Sequence, residues 1–139
     1  MAARPLILDA EAVSALAHGP VARRASVRAA LVAARRVGAD VSVPAAVLAE
    51  LYRGSRFNAG VDAALSREAL LVLDVGRRVA RIAGGVLVAA GSGSADAIDA
   101  FVVASGVDRG GAIVLTGDPD DLGRLAAPYP VIKVIALTP

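Results

Sequence analysis

The chain has 139 residues, 56% of them hydrophobic and 20% charged, which suffices for one core and excludes intrinsic disorder. The lack of cysteine and the single histidine, His18, exclude disulfides, thiolate zinc sites, iron–sulfur clusters, a cysteine nucleophile and an imidazole metal cluster. The net charge is only +2, yet fourteen of the fifteen basic residues are arginine and ten of the thirteen acids are aspartate, whereas solvated helix faces ordinarily use Lys and Glu.

Short apolar runs alternate with longer helical patterns. Residues 5–9 (PLILD) read as a buried strand, followed by a helix over 11–17 that Gly19-Pro20 breaks. Residues 21–37 are helical, with Ala22, Ala29, Ala33 and Val37 on one face and Arg24, Arg28 and Arg35 opposite. These arginines read either as a solvated surface or as part of a track for a polyanion. Residues 40–43 (DVSV) form a second strand, and Pro44 opens a helix reaching Arg53.

A polar loop (GSRFN) then leads to a helix near 61–68, and 70–74 (LLVLD) is a third strand. Residues 75–90 are helical, with Gly84-Gly85 as a break or a close helix crossing. GSGS (91–94) caps a helix over 95–107; 112–115 (AIVL) is a fourth strand, 120–126 a short helix, and 131–137 the last strand. No repeat, low-complexity tract or linker interrupts the pattern, so residues 1–139 read as a single domain. Strands of this length between helices predict a three-layer α/β/α sandwich around a parallel sheet of about five strands. The longest uncharged stretch, 82–95, has four glycines and is too short to span a membrane. Leu6-Ile7-Leu8 is cut off by Asp9, so no signal peptide is visible and a cytoplasmic location is expected.

The acids are not spread evenly. Residues 1–60 carry a net of +4, and residues 91–121 a net of −5, with Arg109 as the sole base in that stretch. In parallel sheets, sites form beyond the carboxyl ends of the strands. Asp9 ends the first strand, Asp118 follows the fourth, Glu50 lies on the helix after the second, and Asp96 and Asp99 open the helix before the fourth. Asp96 and Asp99 are three residues apart and share a face. Each acid alone has a plainer reading: Asp9, Asp96 and Asp118 as helix caps, Glu50 as a solvated helix residue. Jointly they bring carboxylates from four segments to one end of the sheet, which predicts a hard divalent cation, Mg²⁺ or Mn²⁺.

Four stretches, LILDAEAVSAL, VPAAVLAELYRG, SADAIDAFVVA and VLTGDPDDL, occur in this order along nearly the whole chain. Together they resemble the motifs of PIN-domain ribonucleases, and most closely the VapC-type toxins of VapBC toxin–antitoxin pairs. The resemblance implies a PIN-like fold and metal-dependent hydrolysis of RNA. It places the catalytic acids at Asp9, Glu50, Asp99 and Asp118, and the metal ligands at Asp9, Asp99 and Asp118, with Asp96 as auxiliary and Asp121 as a lesser candidate for the fourth position. Glu50, if not fully committed to metal, orients or deprotonates the attacking water. Many relatives carry Ser or Thr two residues after the first Asp, where this chain has Glu11. The resemblance further implies an RNA substrate and a cognate small antitoxin protein as partners, no membrane, and leaves a homodimer open.

Two other readings stand beside this one. The first is a catalytically silent PIN-fold binding module. The second is a phosphorelay receiver domain using Asp74, Thr116 and Lys133, although Asp9 and Glu11 are not the adjacent acids that it requires. No P-loop, Asp-x-Asp-x-Thr or Gly-x-Ser-x-Gly motif is present.

Overall fold

The computed structural model describes residues 3–138. Five strands, β1 (Leu6–Leu8), β2 (Val41–Pro44), β3 (Leu71–Leu73), β4 (Ala112–Thr116) and β5 (Ile132–Ala136), form one sheet in the order β3-β2-β1-β4-β5. Every pairing is parallel, and helices cover both faces, so the fold is the expected α/β/α sandwich. The central strand β1 is buried throughout, as a strand covered on two sides requires.

The helices are α1 (Ala10–His18), α2 (Val21–Arg36), α3 (Ala45–Leu51), α4 (Ser55–Arg67), α5 (Arg77–Ala90), α6 (Ala97–Asp108) and α7 (Pro119–Ala126). Helix α6 crosses the Ile7 face of the sheet at close range. A Cβ on Gly106 would stand 2.7 Å from Ile132 Cδ1 and 3.1 Å from the Ala112 methyl, so glycine at this position lets the helix seat against β4 and β5. Helix α5 packs on α6 and ends at Gly91, whose φ of 63° suits a left-handed cap. Among the described residues, no helix is long and apolar enough to cross a membrane.

The structure adds one local detail that the sequence left open and corrects two expectations. In α2 the buried stripe is Val27 and Leu31, while Ala22, Ala29, Ala33 and Val37 are exposed. Both faces carry apolar residues, but branched side chains remove more area from water than alanine does, and packing selects them. Gly84 and Gly85 mark neither a break nor a crossing; α5 runs through them, and a Cβ at either would meet open space. The polar stretch before residue 61 is helical from Ser55, because Phe57 meets His18 edge to face at 5.2 Å and fastens the first turn of α4 to α1.

The arginines of α2 face internal acceptors. Arg24 donates to the Gly19 carbonyl at 3.1 Å, and Arg28 Nε donates to Glu68 Oε2 at 2.9 Å. Arg35 donates to the carbonyls of Glu68 and Ala69. These contacts tie α2 to the end of α1 and to the turn after α4, so the three arginines act as tethers. The same turn holds Ala69 at φ 50°, the left-handed position after α4, with Leu70 N–H bonded to the Leu65 carbonyl at 3.0 Å. Glycine adopts this conformation freely and alanine does not. Ala69→Gly is therefore expected to raise stability by about 0.5–1 kcal/mol; an unchanged or lower denaturation midpoint would contradict that strain.

Candidate active site

The strand order turns around β1. The chain passes from β1 to β2 on one side and returns to β4 on the other, so the switch point lies between β1 and β4. Leu8 pairs with Leu115 there, and the Asp9 amide still donates to the Leu115 carbonyl at 3.2 Å. Asp9 and the Thr116-Gly117-Asp118 turn thus leave the sheet side by side.

Asp9 is buried, only 4% exposed. Its carboxylate caps α1, accepting from the Ala12 amide at 2.9 Å, and faces the Thr116 hydroxyl and the amides of Gly117 and Glu11, which favour its charged form. Burial raises its carboxyl above the ordinary value, and these donors counter part of that rise. The Thr116 Oγ1 also accepts from the Asp118 amide at 2.8 Å, so one hydroxyl joins the two loops. Asp118 caps α7 by accepting from the Asp121 amide at 3.2 Å. For Asp9 and Asp118, the cap and the site role are compatible: capping fixes one oxygen and leaves the other.

Glu11 lies across Gly117. A Cβ at residue 117 would fall 1.7 Å from Glu11 Oε2, a distance that only glycine at this position avoids. The Glu11 carboxyl is raised, first by burial and then by the charge of Asp9, with Arg23 at 3.5 Å acting in the opposite direction. Arg23 and Glu11 line a cleft with Ser14 and His18.

The other acids come from α6, α7 and α3. Asp96 closes a short 3-10 turn (Ser94–Asp96), and Asp99 stands in the first turn of α6. One carboxylate oxygen from each of Asp96, Asp99 and Asp121 lies within 4.8 Å of the others. Oxygens around a Mg²⁺ at 2.0–2.1 Å would be about 3–4 Å apart, so a small contraction closes the set. All the donors are hard oxygens, with no nitrogen or sulfur, which fits Mg²⁺ or Mn²⁺. The Asp99 carboxyl is pushed up to about 6, first by burial and then by the charges of Asp9, Glu50, Asp118 and Asp121. Asp99 therefore feels acids from all the other segments and sits at the electrostatic centre of the group.

The structure brings Asp9, Glu50, Asp96, Asp99 and Asp118 to one end of the sheet. Glu50 is exposed on α3, while Asp121 stands in the tightest cluster. Thr116 and Arg124 were missed as contributors. A buried threonine closing a strand beside an acid-bearing one was a signal for the first. Arg124 was legible only as an i,i+3 partner of Asp121; its contact with Asp96 joins residues 28 apart in sequence. The receiver-domain geometry is absent: Asp74 follows the edge strand β3, separated from Thr116 on β4 by β2 and β1.

A constellation of this kind defines a class of α/β proteins, those that gather hard oxygen donors at the switch point of a parallel sheet. The profile of the PIN domain matches residues 6–128, and the chain belongs to the PIN-domain family. Its fold is similar to the crystal structure of VapBC2 from Rickettsia felis bound to a DNA fragment from their promoter, with a TM-score of 0.67 and 17% identity over 96% of this chain and 98% of that chain. No curated protein matches the sequence significantly.

Proposed function

We propose that the protein is a Mg²⁺- or Mn²⁺-dependent endoribonuclease, acting in the cytoplasm as the toxin of a type II toxin–antitoxin pair. The observation that carries this reading is the convergence of Asp9, Glu50, Asp96, Asp99, Asp118 and Asp121 at one end of the sheet. Mutually repelling carboxylates at a half-buried site are expected where a cation compensates them. PIN-domain membership supports nuclease chemistry, and the likeness to VapBC2 supports an antitoxin partner.

Asp9, Asp96, Asp99 and Asp121 would hold the cation, with Asp118 beside them. When bound, the cation supplies the Lewis acidity that an anionic phosphodiester needs. Thr116 and the amides of Glu11, Ala12 and Gly117 hold the Asp9 carboxylate in one orientation. Glu50 is exposed and would accept the proton of a water attacking phosphorus in line, while the opposite P–O bond breaks and the departing ribose oxygen takes a proton from solvent. Arg23 lies at the cleft beside Glu11 and pairs with a substrate phosphate, an interaction that added salt weakens. Arg24, Arg28 and Arg35 are committed to protein acceptors. With only two tyrosines and two phenylalanines, base stacking contributes little, and RNA shape decides selectivity.

Labelled RNAs incubated with Mg²⁺, Mn²⁺ or EDTA test the reading. Cleavage is expected with either metal and is lost on chelation. Cleavage undiminished in EDTA would reject the metal mechanism. RNA that stays intact in every condition, from a chain harmless when well expressed, would favour the silent binding module. Toxicity relieved by a neighbouring small gene, with co-purification of both products, would support the antitoxin assignment.

A further inference from the structure

Two of the three clustered carboxylates already face an arginine. Arg124 lies on α7 three residues beyond Asp121, and its Nη2 is 3.2 Å from Asp96 and 3.8 Å from Asp121. Its Nη1 donates to Ser92 Oγ at 2.6 Å, which aims the guanidinium across the gap between α7 and the turn before α6. Among the described residues, no basic side chain comes within 4 Å of the third member, Asp99. The cluster is thus partly neutralised from its outer edge and open at its centre.

We propose that Arg124 is the resident counter-ion of this cluster, which a divalent cation must displace from Asp96 and Asp121, and that it thereby sets the cation concentration at which the site fills. The proposal rests on the metal-dependent reading above. A dication drawing oxygens from all three aspartates competes for the negative charge that Arg124 faces, as a hydrogen bond to Asp96 and an ion pair with Asp121, and at such separations it repels the guanidinium. Arg124 is 43% exposed, so its side chain can turn into water, and a partly exposed ion pair is weak enough to be exchanged. A single nitrogen, Nη2, faces both carboxylates while Ser92 holds Nη1, so the charge of Arg124 also draws Asp96 and Asp121 together while the cation is absent. Cation and arginine are then alternatives at the same two carboxylates.

Calorimetric titration with Mn²⁺ alone, without RNA, tests this in the wild-type protein, Arg124→Gln, Arg124→Lys and Asp99→Asn. Arg124→Gln keeps the length and removes the charge, and should bind Mn²⁺ about tenfold more tightly at low ionic strength. Added salt should narrow that difference, and Arg124→Lys should stay near wild type. In the wild-type protein, the Arg124 Nε–Hε resonance should move on addition of Mg²⁺ as the side chain leaves its acids. A structural staple predicts the reverse, a loss of affinity in Arg124→Gln because the carboxylates splay. Equal or weaker Mn²⁺ binding by Arg124→Gln, with wild-type binding intact, would overturn the counter-ion role and leave the metal-dependent reading standing. Failure of both proteins to bind Mn²⁺ would overturn the two together.

Discussion

Asp99→Asn is expected to reduce RNA hydrolysis by on the order of 10³-fold or more while leaving the chain folded. Asp99 is the acid on which the charges of Asp9, Glu50, Asp118 and Asp121 all bear, and one of its oxygens belongs to the set shared with Asp96 and Asp121. The amide is nearly isosteric, so packing in the first turn of α6 is retained while a charged ligand is lost. Asp74→Asn, an exposed change after β3 at a distance from the cluster, should cleave at the wild-type rate. Initial rates on one RNA with saturating Mn²⁺ decide the matter, and wild-type rates in Asp99→Asn would remove that residue from the site. Asp9→Asn should be similarly inactive and no less stable at pH 7, because asparagine can still accept the Ala12 amide that begins α1 and burial already disfavours the charged form.

Without metal, stability should fall as pH rises from about 4 to about 7. The folded Asp99 carboxyl titrates at about 6, against an ordinary value of 3.8. Between those values the native state binds more protons than the unfolded chain, so raising the pH favours unfolding. The contribution is fully present below the unfolded value and is lost as pH passes through the folded one. Discounted for partial exposure, it amounts to about 1–2 kcal/mol, several degrees in melting temperature for a domain of this size. Asp9 and Glu11 are raised as well and act in the same direction. Glu68 acts oppositely. Burial raises its carboxyl, but Arg28 and Arg67 hold it below the ordinary 4.5, so its stabilisation is present at neutral pH and is lost in acid. Melting curves in EDTA between pH 4 and pH 8 should show the decline, and Asp99→Asn should flatten it, exceeding wild type at pH 7 and matching it near pH 4. A cation should reverse the decline in wild type by stabilising the state that binds it. A wild-type profile that is level in EDTA would contradict the charge crowding.

The fold class was legible because its signals are local. Four- and five-residue apolar runs such as AIVL, bounded by glycine and acid, read as buried strands, and the helical stretches between them leave a parallel sheet as the workable connection. Ends moved by a residue or two, as at Val41–Pro44, while the start of α4 moved by six residues. That start depends on Phe57 reaching His18, a contact between distant residues that no local propensity reports. The buried face of α2 was not legible for a related reason. Periodicity shows that Val27 and Ala29 lie on different sides, but which side is buried depends on the shape of the sheet it meets.

By itself, the sequence indicated that carboxylates from four segments would reach the carboxyl ends of the strands, since Asp9, Asp96, Asp99 and Asp118 adjoin strand or helix ends, Glu50 lies on the helix after the second strand, and parallel strands share one direction. It also determined the hard-oxygen character of the donors, because no cysteine and one histidine leave nothing softer. Only the tertiary structure decided which oxygens share a centre. Asp121 joins Asp96 and Asp99 because α7 lies against α6, and Arg124 spans the two helices from that position. Thr116 couples Asp9 to Asp118 because β1 and β4 are neighbours. Distances of this kind arise from packing between elements far apart in the chain, and spacing along a sequence carries no record of them.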